Sequence, residues 1–285
     1  MKTRTILGCR VGRVTPCAPL PKRSWTGRRA RSAAPYLGLR LAMALVCTLS
    51  LGAPCSALEV DCQACYFCCG KKDLADELTE RIRNHITQGR SAPEIAEAEG
   101  GKSIIRSPIE LWAERHPKAT APDRRLIKYR GSNLPDNILF SAYARCIKVG
   151  GVCIGTDKLG HLFQQGWEYY QISVIDGKGD HLAERYGEWL EGKEPKECYS
   201  ADEPYFLCQH SGRLAGYGGF GRTISGIISN ADLAASRAGL RLYQDLSRGA
   251  FENITNYISG ALCEEINLNE YTPEMKKIVE RNGRR

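Results

Sequence analysis

Gly155-Thr-Asp-Lys-Leu-Gly-His-Leu-Phe-Gln-Gln-Gly-Trp-Glu-Tyr-Tyr170 is the stretch around which the rest of this chain is read. It opens with a helix-start signal: Thr156 is a capping residue type, and Asp157 suits the electropositive first turn. Leu159, Leu162, Phe163, Gly166 and Tyr170 then recur at helical spacing as an apolar stripe. Asp157, His161, Gln165 and Glu168 climb another side; at about 100° per residue they fall within about 80° of one another. The stretch therefore predicts one helix carrying an acid, an imidazole, an amide and a second acid on one face. Such a face binds a metal, moves a proton, or is simply wet. It lies nearly opposite the stripe, where an ordinary surface helix keeps its polar residues. Against the wet reading, Gly160 and Gly166 each cost about 1 kcal/mol relative to alanine in a helix interior. Internal glycines of that kind point to a neighbour packed close. Ile172, near the polar face, likewise implies cover by another element.

Two resemblances rest on the same residues. Asp157-Lys-x-x-His161 resembles the short motif of VanZ-like membrane proteins, although this chain lacks their multiple membrane spans. The fuller pattern Thr156-Asp-Lys-Leu-Gly-His-Leu-Phe-x-x-Gly166 resembles uncharacterised secreted bacterial proteins, and it carries no activity over.

The chain has 285 residues, 42% hydrophobic and 25% charged, ordinary for a globular protein. Its net charge of +8 belongs to the first 57 residues, which hold ten Lys and Arg and no acid. The remainder carries 30 basic and 32 acidic residues, so net charge gives a nucleic-acid role no support. Leu41–Ala53 is an apolar run of 13 residues, short for a membrane span and right for a signal-peptide core. Small residues at Cys55-Ser-Ala57 suit a cut before Leu58. Residues 1–57 are thus expected to be a signal or targeting leader, with an organellar transit peptide as the other reading, and the mature protein to be secreted or periplasmic, with no membrane span.

Nine cysteines follow Leu58, and an exported chain with that many is expected to form disulfides, with at least one thiol left over. Residues 58–71 form a cysteine-rich segment, Cys62-x-x-Cys65-x-x-Cys68-Cys69. Disulfides suit it better than metal, because adjacent Cys68 and Cys69 fit tetrahedral ligation poorly. Cys198 and Cys208 are the first choice for a bond. Cys146 and Cys153 bracket Gly150-Gly151 and are expected to staple a helix over about 136–148 to the opening stretch.

Further helices are expected at 72–90, on Leu74, Leu78, Ile82 and Ile86; after the capping boxes Ser91–Glu94 and Ser107–Glu110; at Asp180–Glu191; and after Thr272-Pro273. Residues 119–130 are basic and loop-like, a solvated face or a phosphate contact. The glycine-rich loop 214–226 matches neither the P-loop nor the dinucleotide fingerprint. A second buried helix runs over 229–246, capped by Ser229 or Asn230, with Ala235, Ser236 and Gly239 admitting a neighbour. Asp232 sits in its first turn, where the helix dipole favours a carboxylate; the functional reading brings it to the Asp157/His161 face. Strand signals are few, and no hairpin signature stands out.

These readings predict a mainly α fold: one helical domain, residues 72–285, of about seven helices, with the 157–172 and 232–246 helices at its centre. The candidate catalytic residues are Asp157, His161, Glu168 and Asp232. Asp157 and His161 are the candidate ligands of a divalent metal, with Glu168 or Asp232 as a further ligand or general acid. Two functions fit: an exported hydrolase of the cell envelope, or a non-catalytic, disulfide-stapled envelope or interaction protein with a cell-envelope component as partner.

Overall fold

Leu74, Leu78 and Ile82 stand four residues apart and are fully buried along α1 (Ala75–Thr87), each apolar side chain contributing about 1.5–3 kcal/mol. Ile86, the next in the series, is 40% exposed, because the helix has run past the core before Gly89 ends it at φ +74°. The capping box at Ser91 starts α2 (Ala92–Ile95), which continues as a π-turn over Ala96–Gly100. There the Ser91 N–H donates to Glu94 Oε2 at 2.7 Å. α3 (Pro108–Arg115) is capped by Ser107, whose Oγ accepts from the Glu110 N–H at 3.2 Å.

The computed structural model describes residues 72–101, 107–122, 127–129, 144–193 and 226–283. The leader, the cysteine-rich segment, the Cys198–Cys208 loop and all of the glycine-rich loop except Gly226 lie outside the described residues.

The helix expected to end near Lys148 is corrected at its C-terminal end. Residues 146–155 are a hairpin of β1 (Cys146–Val149) and β2 (Val152–Gly155), with Val149 opposite Val152 and Cys146 opposite Gly155. Gly150 and Gly151 have φ of +58° and +81°. Positive φ at both central residues is what a type I′ turn requires and glycine supplies. Gly150-Gly151, read as a helix stop, is thus a hairpin signal, flanked by the β-branched Ile147, Val149, Val152 and Ile154. Asp73 fastens this turn to the start of α1: its carboxylate accepts from the N–H groups of Gly150 (2.9 Å), Gly151 (2.7 Å) and Ala75 (2.9 Å). The expected Cys146–Cys153 staple does not form, since Cys153 sits opposite Lys148 and no disulfide joins one described cysteine to another.

β2 runs directly into α4, a continuous helical stretch built of Asp157–Gly160, His161–Gln165, Gly166–Tyr170 and Gln171–Ile175, the second and fourth of these being π-helical. Thr156 does not cap it as expected. Its backbone is already helical, and its buried Oγ1 has no hydrogen-bond partner. α5 (Asp180–Glu191) folds back on α4 through Tyr169, Ile172, Ala183, Tyr186 and Leu190. α6 (Asn230–Ser247) starts on Ser229, whose Oγ accepts from the Asp232 N–H at 3.1 Å.

α4 and α6 cross at two glycines. A Cβ on Gly166 would lie 2.4 Å from Gly239 Cα, and one on Gly239 would lie 2.0 Å from the Leu162 carbonyl oxygen. This is the close approach the glycines implied. Tyr243 seals it, its hydroxyl donating to the Phe163 carbonyl at 2.7 Å. β3 (Ile227–Ile228) and β4 (Glu270–Tyr271) form a second small sheet, and α7 (Pro273–Gly283) follows. The fold is mainly α, with seven helices and two two-stranded sheets among the described residues. None of the described helices is long and apolar enough to cross a membrane.

Candidate functional site

The first turn of α4 places Lys158, fully buried, at the centre of three carboxylates. Its ammonium lies 2.7 Å from Asp157 Oδ2, 2.5 Å from Asp232 Oδ1 and 2.8 Å from Glu264 Oε1. The cap made by Ser229 fixes Asp232 in the first turn of α6. Gly155 leaves room for Asp157: a Cβ there would stand 2.1 Å from Asp157 Oδ1. Glu264, on the turn after the 3-10 helix Gly260–Leu262, is held by its second oxygen, which accepts from the Tyr129 hydroxyl at 3.1 Å and from Asn269 Nδ2 at 3.0 Å.

On the far side of Asp232 stand His161 and Glu191. His161 Nε2 is 3.3 Å from Asp232 Oδ2, and its Nδ1 is buried with no hydrogen-bond partner. The His161 side chain is 20% exposed, whereas the buried carboxylates and Lys158 are nearly inaccessible. Glu191 is the last residue of α5 and is buried. One ligand atom from each of His161, Glu191 and Asp232 lies within 4.8 Å of the others, and the same holds for Asp157, Asp232 and Glu264.

The charges do not balance. One ammonium faces Asp157, Asp232, Glu264 and Glu191, so with all four carboxyls ionised two negative charges would be in excess among these residues even when His161 is protonated. Buried ions are expensive unless paired, and proton uptake is one way out. The carboxyl groups respond unequally. Burial pushes Glu264 up to about 7, with Asp157 and Asp232 adding to the rise against the pull of Lys158. Burial and the neighbouring Asp232 push Glu191 well above the ordinary range. Asp232 also resists ionisation through burial, but His161, Lys158 and the Ser229 hydrogen bond outweigh this and hold it below the usual value.

A second buried acid shows the contrast. Glu99, on α2, is fully buried, yet Arg81 Nε meets its two oxygens at 2.9 and 2.8 Å and His85 Nε2 stands 2.5 Å away. Arg81 also lies over the Trp112 ring, 5.0 Å from its centroid, beside an open surface groove of about 580 Å³. One carboxylate has one guanidinium there, and structure alone accounts for the pair.

The structure brings Asp157, His161 and Asp232 together. It places Glu168 elsewhere, accepting from the Tyr186 hydroxyl of α5 at 3.1 Å. Gln165 also turns to a neighbour, accepting from Ser236 Oγ on α6 at 3.0 Å. The π-turn over His161–Gln165 explains the divergence, because i→i+5 turns hold more residues and rotate a face drawn at α-helical spacing. Lys158, Glu191 and Glu264 were not foreseen. For Glu191 a signal existed: an acid in the last turn opposes the helix dipole and needs another reason to be there. Glu264 follows no periodicity. Comparison with protein-family models, curated proteins and solved structures finds no match to this chain.

Proposed function

We propose that the chain is an exported hydrolase of the cell envelope whose centre is His161 with its carboxylate partner Asp232. The supporting observation is the crowded cluster: four buried carboxyl groups around one ammonium, two of them with raised proton affinity, and a histidine at the most accessible edge. Purely structural clusters are expected to be neutral, as at Glu99, whereas functional sites hold groups with displaced proton affinities. With the Nε2 proton directed at Asp232, the imidazole lone pair is on the buried Nδ1, which has no partner among the described residues and serves as the general base once a water molecule enters beside it. Asp232 fixes the tautomer and stabilises the imidazolium. Lys158, too deep to touch a substrate, keeps Asp232 ionised and in place. Glu168 has no part in this centre.

The test is a panel of ester, phosphoester, amide and glycoside substrates, assayed with the purified protein and with His161→Ala. The expected result is hydrolysis of one class and a drop on the order of 10²–10⁴-fold in kcat on substitution, with the melting temperature retained. Equal activity in both proteins, or none in the parent across all four classes, overturns the reading. The second reading is a non-catalytic envelope protein in which Lys158 is a strut; the complete burial of Lys158, tied to α4, α6 and the 264 turn, favours it. Loss of folding without any measurable activity would support that alternative. Export to a secreted or periplasmic location rests on the acid-free leader, and N-terminal sequencing of the isolated protein checks it.

A further inference from the structure

We infer that His161, Glu191 and Asp232 bind one divalent cation of the zinc type, with a water completing the coordination. Four buried carboxyl groups crowd around a single ammonium, and two places could take a cation. The first, between Asp157, Asp232 and Glu264, is already filled by the Lys158 ammonium at 2.5–2.8 Å from all three. The second, between His161, Glu191 and Asp232, has no positive charge of its own among the described residues apart from a protonated imidazole.

Four observations favour that second place. The three ligand atoms lie within 4.8 Å of one another, and bonds of about 2.0–2.2 Å draw such a set together by roughly an ångström. The donors are one imidazole and two carboxylates from α4, α5 and α6, a set that zinc accepts with a fourth position left for water. Glu191 stands at the C-terminal end of α5, where helix dipole and carboxylate repel each other; a cation there relieves both. His161, 20% exposed, gives the ion a way in. The inference extends the ligand pair Asp157 and His161 read from the sequence: Asp157 is turned to Lys158, and Glu191 takes its place. With the ion bound, His161 and Asp232 are its ligands and no longer the base and its partner, and the ion takes over the activation of water in the proposed hydrolase; the inference stands or falls on binding alone.

The test is titration of the chelator-treated, full-length protein with Co²⁺ and Zn²⁺, followed by calorimetry and by the Co²⁺ spectrum. Glu191→Gln, His161→Gln and, as a control outside the set, Glu168→Gln are titrated in parallel. The expected result is one equivalent of Co²⁺ in a nitrogen–oxygen field without the thiolate charge-transfer band that binding to the cysteine segment would give. Affinity should fall by at least about tenfold in Glu191→Gln and His161→Gln and stay unchanged in Glu168→Gln. No binding by the parent protein overturns the inference. So does a thiolate spectrum, or binding that persists in both ligand variants. If Glu191→Gln fails to fold, His161→Gln decides, because its side chain lies at the accessible edge. Metal binding by a protein inert toward every substrate would leave this inference standing and remove the hydrolase; activity in a parent protein that binds no metal would do the reverse.

Discussion

Asp73 shows how much one carboxylate organises in this fold. It is half-buried, and its two oxygens collect three backbone N–H groups from the hairpin turn and the start of α1. Burial alone would raise its proton affinity, but the donors Gly151, Ala75 and Gly150, with Lys148 nearby, prevail and hold it below the ordinary carboxylate value. The linkage follows from that sign. A depressed folded-state value means that the stabilisation is complete above the unfolded value, near pH 4, and is lost as pH falls through the folded one. Asp73→Ala should therefore lower stability at neutral pH by about 1–3 kcal/mol, since three donors lose a charged acceptor. The deficit should shrink toward zero in strong acid. Urea titrations at pH 7 and pH 3 measure both; a deficit that is the same at the two pH values would show that the carboxylate charge is not what matters.

At the scale of elements, α4 and α6 make the core through their smallest residues. Gly166 and Gly239 let the two backbones touch, and the same crossing brings Asp232 to Lys158 and His161. Gly239→Ala should gain about 1 kcal/mol of helix propensity and lose more than that, because its Cβ would stand 2.0 Å from the Leu162 carbonyl and force the helices apart. A net loss of about 1–3 kcal/mol is expected. An unchanged or raised urea midpoint would mean that the helices have room the structure does not show. These elements were legible where the signal is local. The capping box at Ser91, the Ser107 and Ser229 caps and the helix at Asp180–Glu191 follow from residues within a few positions of one another. The hairpin was not read, because Gly-Gly stops a helix and turns a hairpin equally well, and only pairing across the chain decides between them. The π-turn at His161–Gln165 was not readable either, and it is what separates Glu168 from the Asp157/His161 side.

At the scale of the whole molecule, the cluster draws on residues 157–161, 191, 232 and 264, which no local pattern connects. The sequence pointed to three of its members, Asp157, His161 and Asp232, because each sits at helical spacing or in a first turn. Lys158, Glu191 and Glu264 emerge only when α4, α5, α6 and the 264 turn close on one another. Lys158 is the one ammonium of the set, and its loss should be felt by all four segments. Lys158→Met leaves the carboxylates buried without their counter-charge and should cost about 3–5 kcal/mol. Adding Asp232→Asn removes one of the charges left stranded, so the double variant should be more stable than the two single effects summed, by a coupling of about 0.5–3 kcal/mol. Pairing Lys158→Met with Asp245→Asn should show no such recovery, since Asp245 bonds to Tyr257 and Arg248 at the other end of α6. Urea unfolding of the three single and two double variants beside the parent reads the coupling directly. Strict additivity in both cycles would mean that Lys158 and Asp232 do not share charge in solution, and it would remove the electrostatic basis for the site as well as for the strut.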